Sequence, residues 1–379
     1  MEEYFITQID INKVRHLENL QIKLSETERK HLILTGKNGS GKTSLLQAIR
    51  DNIKHIQLRT LPSILSENYK ENIAIHFLNS IFTNKGIQTL SFKFQRTVLV
   101  YFDSIGRTQK PIIPQSVTKL KINEIDYSNI DSTNGNIIIQ YLVNLHFKKL
   151  YAANENDQET LQKIDNWFEK FTTILRDIFQ DNTLKLKFDI DNMNFNIITK
   201  GREPFDFTIL SDGYAAFLNI VTELILRMES KDPAVYDVQG IVLIDEIETH
   251  LHIDLQKKIM PMLTTFFPKI QFIVTTHSPF VLSSISNAII YDLENHNYLE
   301  DASDLSYSAI VKHHFQVSDE YSNIIKNKVT EYQSLIRKKE RTKEENRHLY
   351  ELDVELNELS PILSPELYLQ FKNIQQELA

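Results

Sequence analysis

Cysteine is absent from the 379 residues, and glycine occurs only 9 times where average usage would give about 27. The first absence excludes disulfide-stapled folds, zinc ribbons, iron–sulfur clusters and thiol nucleophiles. The second marks each glycine as a position where little else fits. No apolar run approaches the roughly 20 residues of a membrane span. The start, Met1-Glu-Glu-Tyr-Phe5, has neither the basic nor the apolar region of a signal peptide, so a cytoplasmic location is expected. A net charge of -8 supplies no global field for nucleic acid, and any such contact needs a local basic patch. What is present is 41% hydrophobic and 24% charged residues, the balance of a folded chain long enough for more than one core.

Apolar alternation predicts strands at 4–12 and 18–24, with a break at Lys13–His16. His31–Thr35 reads as a short buried strand that runs into Gly36, and Thr43–Ile53 has helical spacing. Strand-like alternation follows within Gln88–Phe102, and residues 136–180 look helical. Trp167, Phe168, Phe171, Ile174, Leu175 and Ile178 share one face there, and Trp167 is read as a packing residue. Leu184–Phe188 and Asn194–Thr199 form a hairpin, then 205–295 alternates helices (Gly213–Met228, Leu251–Phe267) with strands (Gly240–Asp245, Ile270–Thr275). Beyond about residue 318 two charged amphipathic helices flank a break near Arg341–Asn346, with Pro361 and Pro365 after them.

Gly36-Lys-Asn-Gly-Ser-Gly-Lys42-Thr43 fits the P-loop pattern at every defined position, and it follows a strand and opens a helix as that motif requires. Gly39 and Gly41 let the backbone turn its N–H groups onto a phosphate, and the helix N-terminus adds more. The candidate nucleotide contacts are Gly36, Lys37, Asn38, Gly39, Ser40, Gly41, Lys42, Thr43 and Ser44. Lys42 suits the β- and γ-phosphates and Thr43 a magnesium ion. In Gly240-Ile-Val-Leu-Ile-Asp245-Glu246 an apolar strand ends in two carboxylates, where α/β sheets hold ligands. Asp245 then serves the metal, and Glu246 orients and deprotonates the attacking water. A third strand ends in Thr276-His277-Ser278-Pro279, with His277 able to reach a γ-phosphate or that water. Ser211 and the Gly213 N–H open an apolar helix and make a second anion corner, suited to a nucleotide held by another subunit.

In chain order (P-loop, a long insertion, Leu210-Ser-Asp-Gly213, the Asp245-Glu246 strand end, then Thr275-Thr-His-Ser-Pro279) the motifs resemble the ABC-type ATPase heads of the RecF, SMC and OLD group. Asp245-Glu-Ile-Glu-Thr-His-Leu-His252 is similar to the Walker B and D-loop segment of AAA family ATPases from bacterial antiphage systems such as Septu, PARIS and retrons. The resemblance covers about residues 4–50 and 205–295. Together with the helical periodicity of the middle and the tail, the expected fold is an α/β head with a mostly parallel core sheet, an antiparallel β subdomain, a helical insertion and a C-terminal helical hairpin. The corresponding divisions are 1–135 (Walker A and antiparallel strands), 136–204 (insertion and β-hairpin), 205–315 (signature, Walker B and His277 loop) and 316–379 (hairpin, for a partner or oligomer contact).

The resemblance further implies a head-to-head dimer, with ATP and Mg2+ between one P-loop and the partner's Ser211 and Gly213. By the same likeness Gln140 is a candidate sensor of magnesium and γ-phosphate, and Arg15 a basic residue near the nucleotide. Asp212 and Tyr214 depart from the usual signature, so slow hydrolysis is expected. His250 and His252 lack a third ligand, as do His313 and His314, and carry no metal reading. The basic run Arg337–Lys343 is more simply a solvated turn than a nucleic-acid contact. Nothing after Pro279 resembles a Toprim nuclease, so the expected function is an ATPase regulating a separately encoded effector, such as a nuclease, in antiphage defence. A RecF-like DNA repair ATPase and a slow-turnover scaffold stay open as alternatives.

Overall fold

The computed structural model describes residues 3–57, 72–78, 94, 96–114, 127, 129–131, 133–231, 238–301, 303, 310, 323–338, 340–359 and 371–374. Gly86, His313, His314, Pro361, Pro365 and most of the alternating stretch 88–97 lie outside them. The chain packs as two units, residues 1–310 and 311–379.

In the first unit β1 (Ile6–Val14) lies between β2 (Leu17–Lys23) and β4 (Asn72–Phe77) in an antiparallel sheet. The core sheet is built around β3 (His31–Thr35), which is buried at every position, the pattern of a strand covered on both faces. Its other strands are β5 (Val98–Phe102), β9 (Gly240–Ile244), β10 (Ile270–Thr275), β11 (Ala288–Asp292) and β12 (Asn297–Leu299). Their order is β12-β11-β3-β10-β9-β5, parallel except for β12. The mostly parallel core expected from the sequence is present.

Two segments differ from the sequence reading. Val98–Phe102, grouped there with antiparallel strands, pairs parallel to β9 from Val98↔Gly240 to Phe102↔Ile244. All five of its residues are buried, so it is a continuous apolar core strand and not the end of an alternating one. The helix expected over Leu251–Phe267 is two pieces, α5 (Ile253–Gln256) and α6 (Ile259–Phe266). Pro261 has no N–H to donate, and restarting the helix at Ile259 puts it in a first turn, where that donor is not needed.

Two helices, α2 (Ile138–Asn154) and α3 (Gln158–Phe179), fill the predicted helical stretch, beside a sheet of β6 (Lys185–Asp189), β7 (Asn194–Ile198) and β8 (Phe205–Asp206). Trp167 is buried, stacks on Phe171 at 5.1 Å and meets Tyr141 edge-on, which is the packing role read for it. The helix α4 (Asp212–Lys231) is buried from Ala215 to Met228 without a break. Inside it Glu223 and Arg227 form an ion pair at 2.7 Å with at most 1% exposure on either side. Arg227 also donates to the carbonyls of Leu99 (2.6 Å), Tyr127 (3.2 Å) and Asn129 (3.0 Å), while Glu223 accepts from the Asn134 N–H. Burial pushes the Glu223 carboxyl pKa up against the pull of Arg227. The pair therefore ties the helix to β5 and to the segment 127–134.

In the second unit α8 (Asn323–Arg337) and α9 (Lys343–Leu359) form a hairpin, linked by Lys328–Glu355 and Lys338–Glu345 ion pairs. Val329, Tyr332, Leu352 and Leu356 meet Phe371 and Ile374 in a core of their own. Part of the basic run is used locally: Arg341 caps α8 through the carbonyls of Leu335 (2.8 Å) and Ile336 (3.0 Å).

Replacing Arg227 with methionine leaves Glu223 buried without its counter-ion. Arg227→Met is expected to destabilise the first unit by about 3–5 kcal/mol, read by urea denaturation, and R227M with Glu223→Gln is expected to recover part of that loss.

Candidate functional site

Three parallel strands deliver the site. β3 runs into the turn Gly36–Gly41 and then α1 (Lys42–Gln57). Gly36, Gly39 and Gly41 all take positive φ (134°, 86° and 96°), which L side chains rarely adopt, so the three glycines are required by the backbone path. Lys42 is buried, and its Nζ donates to the carbonyls of Gly36 (2.9 Å) and Lys37 (3.0 Å). The turn is closed further by Ser40 N donating to the Lys37 carbonyl at 3.1 Å. Burial lowers the Lys42 pKa, while the carboxylates of Glu246, Glu248, Asp245 and Asp292 oppose that shift. The Ser40 hydroxyl is buried without a partner. Lys37, Asn38 and Gly39 are exposed at the tip, with Lys37 paired to Glu294 at 3.4 Å, and Ser44 is half-buried in the first turn of α1.

Asp245 ends β9 and is 3% exposed. Its Oδ1 accepts from Thr43 Oγ1 (3.1 Å) and Thr275 Oγ1 (2.7 Å), so one carboxylate oxygen joins the ends of β3, β9 and β10. Thr275 Oγ1 accepts in turn from Glu246 N at 2.6 Å. Glu246 has φ 46°, a left-handed conformation that costs a non-glycine residue about 1–3 kcal/mol. Its side chain accepts from Thr249 Oγ1 at 3.1 Å, and its carbonyl accepts from Thr249 N (2.9 Å) and Arg107 Nη2 (2.6 Å).

His277 is half-buried at the end of β10. Glu248 holds that turn with both oxygens, accepting from His277 N (2.5 Å) and Thr276 Oγ1 (2.7 Å). Ser278 caps α7 (Pro279–Leu282) and donates to Gln256 Oε1 at 2.7 Å. Burial first, then the Lys42 charge, lowers the His277 pKa below the usual imidazole value, so the ring is neutral at pH 7.

The remaining sequence candidates fall in different surroundings. Arg15 is exposed with φ 52° in the turn between β1 and β2. Its neighbours His16 and Leu17 lie over Gly41, within 3.2 Å and 3.0 Å of where a Cβ would stand, so that turn flanks the phosphate loop. Gln140 is half-buried in the first turn of α2, its carbonyl accepting from Asn144 Nδ2 at 2.7 Å. The loop that leaves the core sheet beside Asp245 is instead Asp103–Gln109, since Asp245 N donates to the Phe102 carbonyl at 2.9 Å. Ser211 and Asp212 are exposed at the start of α4. The hollow beside them is lined by Gln180, Tyr214, His250, His252 and Asp254, with no residue of the phosphate loop. Gly213 packs so closely that a Cβ would stand 2.7 Å from the His250 carbonyl oxygen. Tyr214 stacks on Phe179 at 4.6 Å, which gives this departure from the usual signature a packing role.

Arg107, Thr275 and Glu248 were not singled out from the sequence. Thr275 ends the strand that leads into the His277 motif and Glu248 lies within Asp245–His252, whereas Arg107 has no local signal at all. Among the described residues no group of three or more His, Asp or Glu side chains could hold a metal ion, and no helix is long and apolar enough to cross a membrane.

Residues 145–283 match the family model described as "AAA domain, putative AbiEii toxin, Type IV TA system". The chain is 28% identical to the Septu protein PtuA of Bacillus mycoides (strain KBAB4) over 78% of its own length and 41% of that protein. It is 32% identical to the Retron Vc95 probable ATPase of Vibrio cholerae serotype O1 biovar El Tor, over 48% of this chain and 35% of that protein. The chain thus spans less than half the length of either relative. Among solved structures it is similar to the SMC head bound to the C-winged helix domain of ScpA, at TM-score 0.45 and 14% identity, over 76% of this chain and 93% of that one. The likeness to ATPases of antiphage systems, read from the motif order, is borne out by the family match and these relatives.

Thr275→Val removes the hydroxyl that bridges Asp245 and Glu246 while keeping the shape. The loss of two bonds in a buried setting is expected to cost about 2–4 kcal/mol, measured as a lower urea midpoint at unchanged m-value.

Proposed function

We propose that this chain binds and hydrolyses ATP as an ABC-type ATPase, pairs head to head around the nucleotide, and regulates a separately encoded effector, such as a nuclease, in antiphage defence. The observation that carries the reading is the convergence of Thr43 and Thr275 hydroxyls on one oxygen of buried Asp245, beside a glycine turn closed by Lys42.

The residues suit a magnesium nucleotide. Magnesium is commonly held by one or two carboxylates, phosphate oxygens and water, not by an all-protein cage, and Thr43 with Asp245 is such a partial set. The Ser40 hydroxyl, buried without a partner, and the Lys42 ammonium, bonded only to two carbonyls of its own loop, are groups a phosphate can recruit. When bound, magnesium ATP supplies the electrophilic γ-phosphoryl group with its charge partly neutralised. Lys42 then exchanges loop carbonyls for phosphate oxygens. Glu246 orients a water and accepts its proton, and neutral His277 hydrogen-bonds the same region. Arg15 supplies a cation from the β1–β2 turn, and Gln140 is kept as a candidate contact to the metal.

Ser211 and Gly213 are proposed to close the nucleotide site of a second copy. The exposure of Ser211 at a helix start suits that role. The exposed Asp212 carboxylate beside it favours slow turnover, because it would stand close to an incoming phosphate. The defence role and the effector rest on the likeness to Septu and retron proteins. The net charge of -8 gives no field that would favour DNA repair, and Arg341 and Lys338 of the basic run are engaged within the hairpin.

Lys42→Ala is expected to weaken ATP binding about 100-fold, measured by equilibrium titration with a fluorescent analogue. Glu246→Gln is expected to bind ATP within threefold of wild type, to lose turnover by about 100-fold or more, and to run as a dimer only with ATP in light scattering. Unchanged turnover in E246Q removes Glu246 from the base role, and a monomer at saturating ATP removes the head-to-head arrangement.

A further inference from the structure

The carbonyl of Glu246 is held from a distant part of the chain. Arg107 lies in a 3-10 turn (Gly106–Thr108) of the loop leaving β5, is 3% exposed, and donates through Nη2 to Glu246 O at 2.6 Å. The loop around it is itself fixed. Asp103 Oδ1 accepts from the N–H groups of Ile105 (2.7 Å) and Gly106 (3.0 Å), and Asn219 of α4 donates through Nδ2 to the carbonyls of Arg107 and Gln109.

A comparison within the fold separates this arginine from a purely structural one. Arg227 is equally buried and uses Nε, Nη1 and Nη2 on a carboxylate and three carbonyls. Arg107 aims at one carbonyl, and its Nε is buried with no partner. A packing role alone does not call for a buried charge with an orphaned donor. Burial lowers the guanidinium pKa, and the carboxylates of Glu248, Asp245 and Glu246 oppose that shift.

The residue it grips is the one in a strained conformation. Glu246 has φ 46°, its N–H is held by Thr275 Oγ1 (2.6 Å) and its carbonyl by Arg107 (2.6 Å). The two bonds clasp one residue from both sides, and with both ends fixed the Cα–Cβ direction of Glu246 is fixed too. We infer that Arg107 is a positioning residue for hydrolysis: it fixes the turn from which the Glu246 carboxylate reaches the attacking water. The inference rests on Glu246 acting as the base.

The test compares Arg107→Met and Arg107→Lys with wild type and E246Q in the full chain, reading kcat, KM and ATP affinity, with amide hydrogen exchange over 245–251 in the nucleotide-free proteins. R107M is expected to lower kcat about 100-fold, the cost of a catalytic group displaced by roughly 1 Å, with ATP affinity within threefold of wild type. Exchange over 245–251 is expected to rise while α1 stays protected. R107K keeps a cation and a donor, and is expected to recover at least tenfold of the loss. If R107M does not fold, R107K decides: kcat below wild type at unchanged KM, with faster exchange over 245–251, supports the inference. Wild-type kcat in R107M, or in R107K where R107M does not fold, overturns it, as does loss confined to KM or unchanged exchange in R107M. Wild-type turnover that E246Q abolishes keeps the reading of the base intact in that case. Absence of any wild-type turnover, by contrast, overturns that reading and the inference with it.

Discussion

Burying an ionised carboxylate is unfavourable unless donors surround it, and Asp245 meets that demand with hydroxyls from two other strands. Thr43 stands at the head of α1 after β3, Thr275 at the end of β10, and Asp245 at the end of β9. Those three strands run side by side and parallel in the order β3-β10-β9. A slip of one residue between any two would turn alternate side chains to the opposite face and separate the hydroxyls from the carboxylate. The continuous apolar strands, the register and the polar ends are therefore one constraint. The phosphate turn, the Glu246 turn and the His277 turn all leave the sheet from this edge.

The polar ends are connected outward as well as to one another. Glu248 holds the His277 turn, Arg107 holds Glu246, and Asn219 holds the Arg107 loop from α4. The same helix begins at the Ser211–Gly213 corner and carries Arg227, which is bonded to the Leu99 carbonyl of β5. Signature helix, β5 loop and Walker B turn are thereby joined by hydrogen bonds between buried groups. A displacement of α4, where a second copy is proposed to dock, has a direct physical route to Glu246.

Much of this was legible in the sequence, for a physical reason. Residues 36–43, 240–246 and 271–279 each join a short apolar run to residues whose backbone or charge allows few alternatives, so pattern and position coincide. The packing role of Trp167 follows from its place on an apolar helix face and from the bias of aromatic residues toward cores. What escaped notice depends on distant partners or on one local exception. Val98–Phe102 is a plain apolar run, and only its neighbour β9 makes it a parallel core strand. The apolar spacing over 251–267 reads as one helix, and only Pro261 marks the restart at Ile259. Arg107 was invisible because its partner is a backbone carbonyl 139 positions away in the chain, and a carbonyl leaves no mark on residue type. The roles of Arg15 and Gln140 came from likeness to other heads. The Arg15 turn lies beside Gly41, while Gln140 lies in the first turn of α2.

The central claim is that the Thr43–Asp245 junction is a magnesium–nucleotide site. A crystal structure with magnesium and a slowly hydrolysed ATP analogue tests it most directly. The expected result is phosphates enclosed by Gly39–Thr43 and in contact with Lys42, with the metal about 2.0–2.1 Å from Thr43 Oγ1 and Asp245 beside it directly or through water. A nucleotide bound elsewhere, or a metal with neither Thr43 nor Asp245 among its neighbours, would contradict it.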